Sequence, residues 1–289
     1  MRRIIALRLL FIHHCLGHFT SAKEETCLEA SSWKWDPSSK HRCNLEQWTE
    51  SQLYGQFGQH GLPPLYHSPI VILANASRNV VFRDMTSSAR IVQALPERFQ
   101  VTLSSSNSFS HHRRTIPLTQ YLQEIMELAE TTPDKLSNET WYLFGETFSP
   151  QWKEFLHHYE LPLCHTCTKN LTALSFGIGN QGSGVQWHIH GPGFSEALHG
   201  KKHWILYPPD QQPKYHPDHT SRYWMEHIYT KLPKNKLPFE CTLNPGDMIY
   251  FPNGWWHATI NLDPYTSFIS SFTTEYDDAA FSVGDPLKI

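Results

Sequence analysis

From Leu171 onward the chain breaks into short apolar runs separated by Gly, Pro and Asn-Gly turns, and this texture limits the fold more than any other feature. The runs read LTALSFGIG, VQWHIH, HWILYPP, FECTL, DMIYFP, WHATINL and TSFISSF. They are rich in β-branched and aromatic residues, which fit a pleated surface, and too short for helices with a full apolar face. Short strands in close succession point to an all-β sandwich or barrel. Ser175 to Phe272 is enough chain for one jelly roll of about eight strands.

The full length of 289 residues suits one large domain, or one domain with a helical prelude. Apolar residues at 39% and aromatic residues at 13% are enough to build a core, which excludes a disordered chain. Before the barrel, strands are expected at Ile70 to Leu73 and Phe99 to Leu103, with a short helix from Ser87 to Leu95. Pro117 sits near the start of a clearer helix, where its missing N–H costs nothing. Leu118, Tyr121, Leu122, Ile125, Met126 and Ala129 share one face of it, and Pro133 stops it. Trp152, Phe155 and Tyr159 mark another helix. The expected fold is mainly β: a double-stranded β-helix, or jelly roll, with N-terminal helices packed on it. The segments are a leader over 1–22, an α/β extension over 23–170, the jelly roll over 171–276 and a tail over 277–289.

The leader reads MRRIIALRLLFIHHCLGHFTSA: two arginines, a short apolar stretch interrupted by Arg8, then small residues. This is the pattern of a secretory signal peptide, and the stretch is too short to span a bilayer. A mitochondrial presequence is the alternative with similar composition. Sequons at Asn75, Asn138 and Asn170 agree with a secretory route and mark candidate glycosylation sites. The net charge is −3, and the leader carries three arginines and no acid, so the rest is more acidic still. Nucleic acid selects for the opposite sign, which leaves a protein partner or protein substrate, with self-association open. No membrane span is expected once the leader is cleaved.

Six cysteines are present, and loss of Cys15 with the leader leaves an odd number. Cys27–Cys43 and Cys164–Cys167 are the expected bridges in an oxidising compartment. Cys241 alternates with Phe239 and Leu243, which suits a buried thiol. The Cys164-His165-Thr166-Cys167 spacing also suits a redox pair or half a zinc site. The sequence after it reads as strand rather than helix, and no second Cys-x-x-Cys exists, so a structural bridge is the expectation.

His188 and His190 stand two apart in Val185 to His190. In a strand both would face one side, and His257, on a later strand, could converge with them on one metal. Spacing alone is a weak signal in a chain with 19 histidines.

The surrounding sequence, WHIHGPGFSEALHGKKHWILYPP and then NPGDMIYFPNGWWHATINL, resembles JmjC-domain proteins of the cupin superfamily over residues 171–276. Its details are similar to a luminal branch with a signal peptide and His-x-His at this point. The resemblance implies an Fe(II)- and 2-oxoglutarate-dependent oxygenase of protein side chains. It makes His188 and His257 metal ligands and Lys202 the partner of the distal 2-oxoglutarate carboxylate. It also implies residence in the endoplasmic reticulum lumen. The C-terminal residues Asp285 to Ile289 carry no KDEL-type signal, which leaves secretion open.

Three departures from the family pattern follow. His190 stands where the carboxylate ligand is expected, so the shell loses a negative charge; a three-His site could still hold Fe or Zn. Val185 replaces a hydrogen-bonding residue three positions before the first histidine. Ser271 stands where several relatives have Asn, and Glu196 is a candidate substitute carboxylate. Two function classes result: a barrel used as a binding or regulatory module with weak or no oxygenase activity, or an oxygenase (hydroxylase or demethylase) with a three-His metal site.

Overall fold

The computed structural model describes residues 43–63, 66–105, 112–131, 141–169 and 171–273. The leader, Cys27, Asn138, Asn170 and the C-terminal tail lie outside them.

Twelve strands form two sheets among the described residues. The N-terminal part supplies β1 (Glu46–Trp48), β2 (Ile70–Ile72), β3 (Gln100–Ser105), β4 (Arg113–Pro117) and β5 (Trp141–Leu143). The barrel part supplies β6 (Thr172–Gly179), β7 (Gly193–His199), β8 (Lys202–Tyr207), β9 (Phe239–Leu243), β10 (Met248–Phe251), β11 (Trp256–Asn261) and β12 (Thr266–Thr273). The large sheet has the order β1-β2-β10-β7-β12-β6-β5-β3-β4, and the small sheet β11-β8-β9. The extension is therefore continuous with the barrel: β2 pairs with β10, and β5 with β6.

Alternation along the strands sorts the core into layers. Phe176 and Ile178 of β6 and Ile269 of β12 face outward onto four helices. The first helix, α1 (Glu50–Phe57), packs near β1 and β2 through Leu53, and the four are α2 (Val80–Met85), α3 (Ile91–Ala94), α4 (Leu118–Thr131) and α5 (Pro150–Leu156). Leu118, Tyr121, Leu122 and Ile125 of α4 meet that layer, as their helical spacing demands. Ser149 caps α5 and Pro150 opens it; Tyr159, expected on this helix, lies just beyond its end and still joins the same layer. The expected helix from Ser87 is shorter, regular only over α3. A further helix, α6 (Ser221–His227), lies between β8 and β9 and covers the outer face of the small sheet through Trp224 and Met225.

Val185 to His190, expected as a strand, is irregular instead, as part of the segment 183–190. It runs antiparallel along β11: Asn261 N–H donates to Ser183 O, Thr259 N–H to Val185 O and His257 N–H to His188 O. Between the last two contacts it advances three residues while β11 advances two. The Val185 N–H goes to the Thr259 hydroxyl rather than to a carbonyl. One additional residue of this kind bends a strand and re-aims its side chains. The segment takes the place of a fourth strand in the small sheet and completes the jelly roll.

Cys43 is bridged to Cys241, not to Cys27, and Cys241 is not a free thiol. Asn44 explains the placement: its N–H donates to Glu240 O and its side chain accepts the Glu240 N–H, which lays Cys43 antiparallel beside Cys241. Cys241 is buried, as its alternation suggested. Cys164 and Cys167 are bridged to each other. No helix among the described residues is long and apolar enough to cross a membrane.

Candidate metal centre

Two sheets face each other across a chamber, and the inward positions of four strands line it. β11 contributes His257 and Thr259, β8 Lys202 and Trp204, β10 Phe251, and β12 Phe268, Ser270 and Phe272. His188, His190, Val185 and Phe144 complete the wall.

The three histidines expected to converge do so. Their nearest ligand atoms all lie within 4.8 Å of one another. His257 is buried, whereas His188 and His190 are partly exposed. The His188 and His257 backbones exchange two hydrogen bonds of 3.0 Å, which fixes the first and third ligand side by side. The turn at Asn253-Gly254 sets the approach of His190: Gly254 adopts φ 73°, a conformation natural for glycine, and its N–H donates to His190 O at 3.0 Å.

Each ring is oriented from behind. His188 Nδ1 bonds Gln186 O at 2.7 Å, His190 Nδ1 bonds Gly191 O at 2.7 Å, and His257 Nδ1 bonds Trp255 O at 2.8 Å. A carbonyl can only accept, so every Nδ1 carries the proton and every neutral ring presents an Nε2 lone pair to the centre. Burial favours the neutral form of all three rings. His188 is pushed down to about 3 by burial and by the His190 charge; His257 is pushed well below the usual range by burial and its two neighbours.

This geometry fits a divalent ion. His257 Nε2 and His190 Nε2 are 3.1 Å apart. Two imidazoles on one ion at about 2.0–2.1 Å would hold their nitrogens about 2.9–3.4 Å apart. Backbone-oriented Nδ1–H groups are the usual support of metal-bound histidine. Aromatic rings hold the cluster from the sides: Phe251 stacks on His257 at 4.7 Å, and Phe272 meets His190 edge-on at 5.2 Å. An ion bound there would supply Lewis-acid or redox chemistry.

Lys202 points into the same chamber and is 1% exposed. Burial pulls its ammonium down to about 7. Its Nζ donates to Asn261 Oδ1 at 3.0 Å, since Asn261 lies directly opposite in the β8–β11 register. Among the described residues no carboxylate pairs with it. A buried cation without a counter-charge fits an anionic ligand group.

Other sequence expectations change. Ser271 does not line the chamber; β12 turns Ser270 inward and Ser271 to the opposite face. Glu196 supplies no ligand. It is buried on the helix side of the large sheet, where it accepts from Tyr159 Oη at 2.9 Å and Asn79 Nδ2 at 3.0 Å. Val185 does line the chamber. Sequence reasoning missed Asn261, Phe144 and Phe268. Asn261 could have been found, since it stands four residues after His257 on one strand and shares its face. Of the sequons, Asn75 lies in the described region; its Oδ1 accepts from Ser77 N–H and its Nδ2 donates to Glu50.

The cupin-like domain family matches residues 72–277. This chain is a member of the cupin-like JmjC family. It is 40% identical to JmjC domain-containing protein 8 of Homo sapiens over 70% of this chain and 75% of that protein. The Mus musculus protein of the same name is 36% identical over 81% and 83%. Shorter matches reach enzymes. The bifunctional arginine demethylase and lysyl-hydroxylase psr-1 of Caenorhabditis elegans is 33% identical over 32% of this chain and 27% of that protein. The 2-oxoglutarate and iron-dependent oxygenase JMJD4 of Mus musculus is 35% identical over 24% and 18%.

Proposed function

We propose that this chain is a JmjC-fold binding or regulatory module of the endoplasmic reticulum lumen, holding a divalent ion on His188, His190 and His257, with little or no oxygenase turnover. The observation that carries this is the first shell itself. His190 occupies the position where the family pattern has a carboxylate, and no Asp or Glu among the described residues joins the cluster. A neutral shell offsets none of the ion's charge, so Fe(II) retention is weak, and Zn or Ni competes well by the divalent affinity order. The two bridges and the leader pattern support an oxidising compartment. The partner is a protein, in keeping with the acidic chain.

A second reading, an active 2-oxoglutarate-dependent hydroxylase or demethylase, is favoured by Lys202, a buried cation on the same chamber as the histidines. Succinate release from 2-oxoglutarate under Fe(II) and oxygen separates the two. The native chain is expected near background, and His190→Asp is expected to bind Fe(II) more tightly. Strong succinate release by the native chain overturns the proposal.

A further inference from the structure

An ammonium has three N–H donors, and the lysine in the chamber uses one on Asn261. Phe268 covers another side: the Lys202 Nζ lies 3.7 Å from the centre of its ring. The ring is placed by backbone as well as by neighbours. Phe268 pairs with Gly177 across β12 and β6, and a Cβ at Gly177 would come within 2.3 Å of the ring's Cζ. The ring therefore lies across the space that a side chain at 177 would fill. Phe144 packs against it at 5.2 Å. Phe268 is 1% exposed and sits on the inward face of β12 with Ser270 and Phe272. It thus covers one side of a buried cation inside the chamber that both residues line.

We propose that Phe268 determines which carboxylates the chamber accepts. With the ring in place, Lys202 serves a small monocarboxylate of acetate size. A longer dicarboxylate such as 2-oxoglutarate enters only when the ring is displaced. This rests on the reading that Lys202 and the three histidines share one ligand chamber. It makes Phe268, in addition to His190, a reason for weak turnover, because a restored metal shell would still meet a closed cosubstrate end.

The test is calorimetric binding of acetate and of 2-oxoglutarate to the full chain, with and without Zn(II), for native protein, Phe268→Ala, Phe268→Val and Phe268→Ala with Lys202→Met. Truncation of the ring is expected to tighten 2-oxoglutarate by about tenfold or more. The gain should vanish when Lys202 is also replaced. Phe268→Val places a β-branched residue, well suited to a strand, at this position, so a gain there carries the test if the alanine variant does not fold. Equal 2-oxoglutarate affinity in native and truncated chains overturns the proposal, as does a gain that survives loss of Lys202. Metal binding is scored separately. If the native chain binds no divalent ion, the three-His reading falls, while the metal-free titrations still decide the role of Phe268.

Discussion

His190 and His257 face each other through their Nε2 atoms at 3.1 Å, while the Nδ1 of each is committed to a backbone carbonyl. Neither neutral ring can donate to the other, so two lone pairs meet in a space flanked by Phe251 and Phe272. A proton could bridge them, but burial opposes a charged imidazole there. An ion that accepts both lone pairs removes the conflict.

One divalent ion per chain is therefore expected to stabilise the folded state. With free Zn(II) at about 100 times Kd, linkage gives about 2.7 kcal/mol, read as a rise in Tm. His257→Ala should abolish most of the rise, and His190→Ala should reduce it. An equal rise in native protein and the His257 variant would mean that the ion binds elsewhere.

The Cys43–Cys241 bridge closes a loop with a sequence separation of 198 and ties the chain before β1 to the edge of the small sheet. Replacing both cysteines by serine is expected to cost about 2–5 kcal/mol in denaturant unfolding. Peptide mapping without reduction should recover Cys43 joined to Cys241. Recovery of Cys43 joined to Cys27 would contradict the placement of Asn44 beside Glu240.

Cys164 and Cys167 pack partly buried against the apolar cluster that includes Leu53, Leu62 and Ile70. A bridge supported in this way is expected to stay oxidised in glutathione buffers poised near −180 to −210 mV, as a structural bridge below about −300 mV would. Alkylation after equilibration reads the outcome. Ready reduction at that poise would indicate an exchange role instead.

The barrel was legible from residue 171 onward because its strands alternate cleanly, and the helix after Pro117 because one face is apolar. The convergence of His188, His190 and His257 was legible from motif order. Three features were not. The segment around His188 reads as a strand in period, but Thr259 captures the Val185 amide and inserts a residue. Ser271 follows the connection from β11 to β12, which passes from the small sheet to the large one, and motif position does not carry facing across it. Phe268 is an apolar residue in an apolar strand, so nothing in its neighbours distinguishes a chamber wall from a core position.

Two buried ionisable groups set opposite limbs of the stability curve. Burial raises the Glu196 carboxyl to about 7 from an ordinary value of 4.5. Between those values the folded chain holds a proton that the unfolded chain has released, so stability falls as pH rises from about 4.5 to about 7, by about 3 kcal/mol. Burial lowers Lys202 to about 7 from 10.5. Above pH 7 the folded chain has lost a proton that the unfolded chain keeps, so stability rises as pH climbs toward 10.5. The two limbs give a minimum near neutrality in these contributions. Glu196→Gln should flatten the acidic limb and leave the alkaline one, and Lys202→Met should do the reverse. Denaturant midpoints across pH 5 to 10 read both. An acidic limb that is unchanged in Glu196→Gln would show that the carboxyl is ionised in the folded chain, held by Tyr159 and Asn79 against the cost of burial.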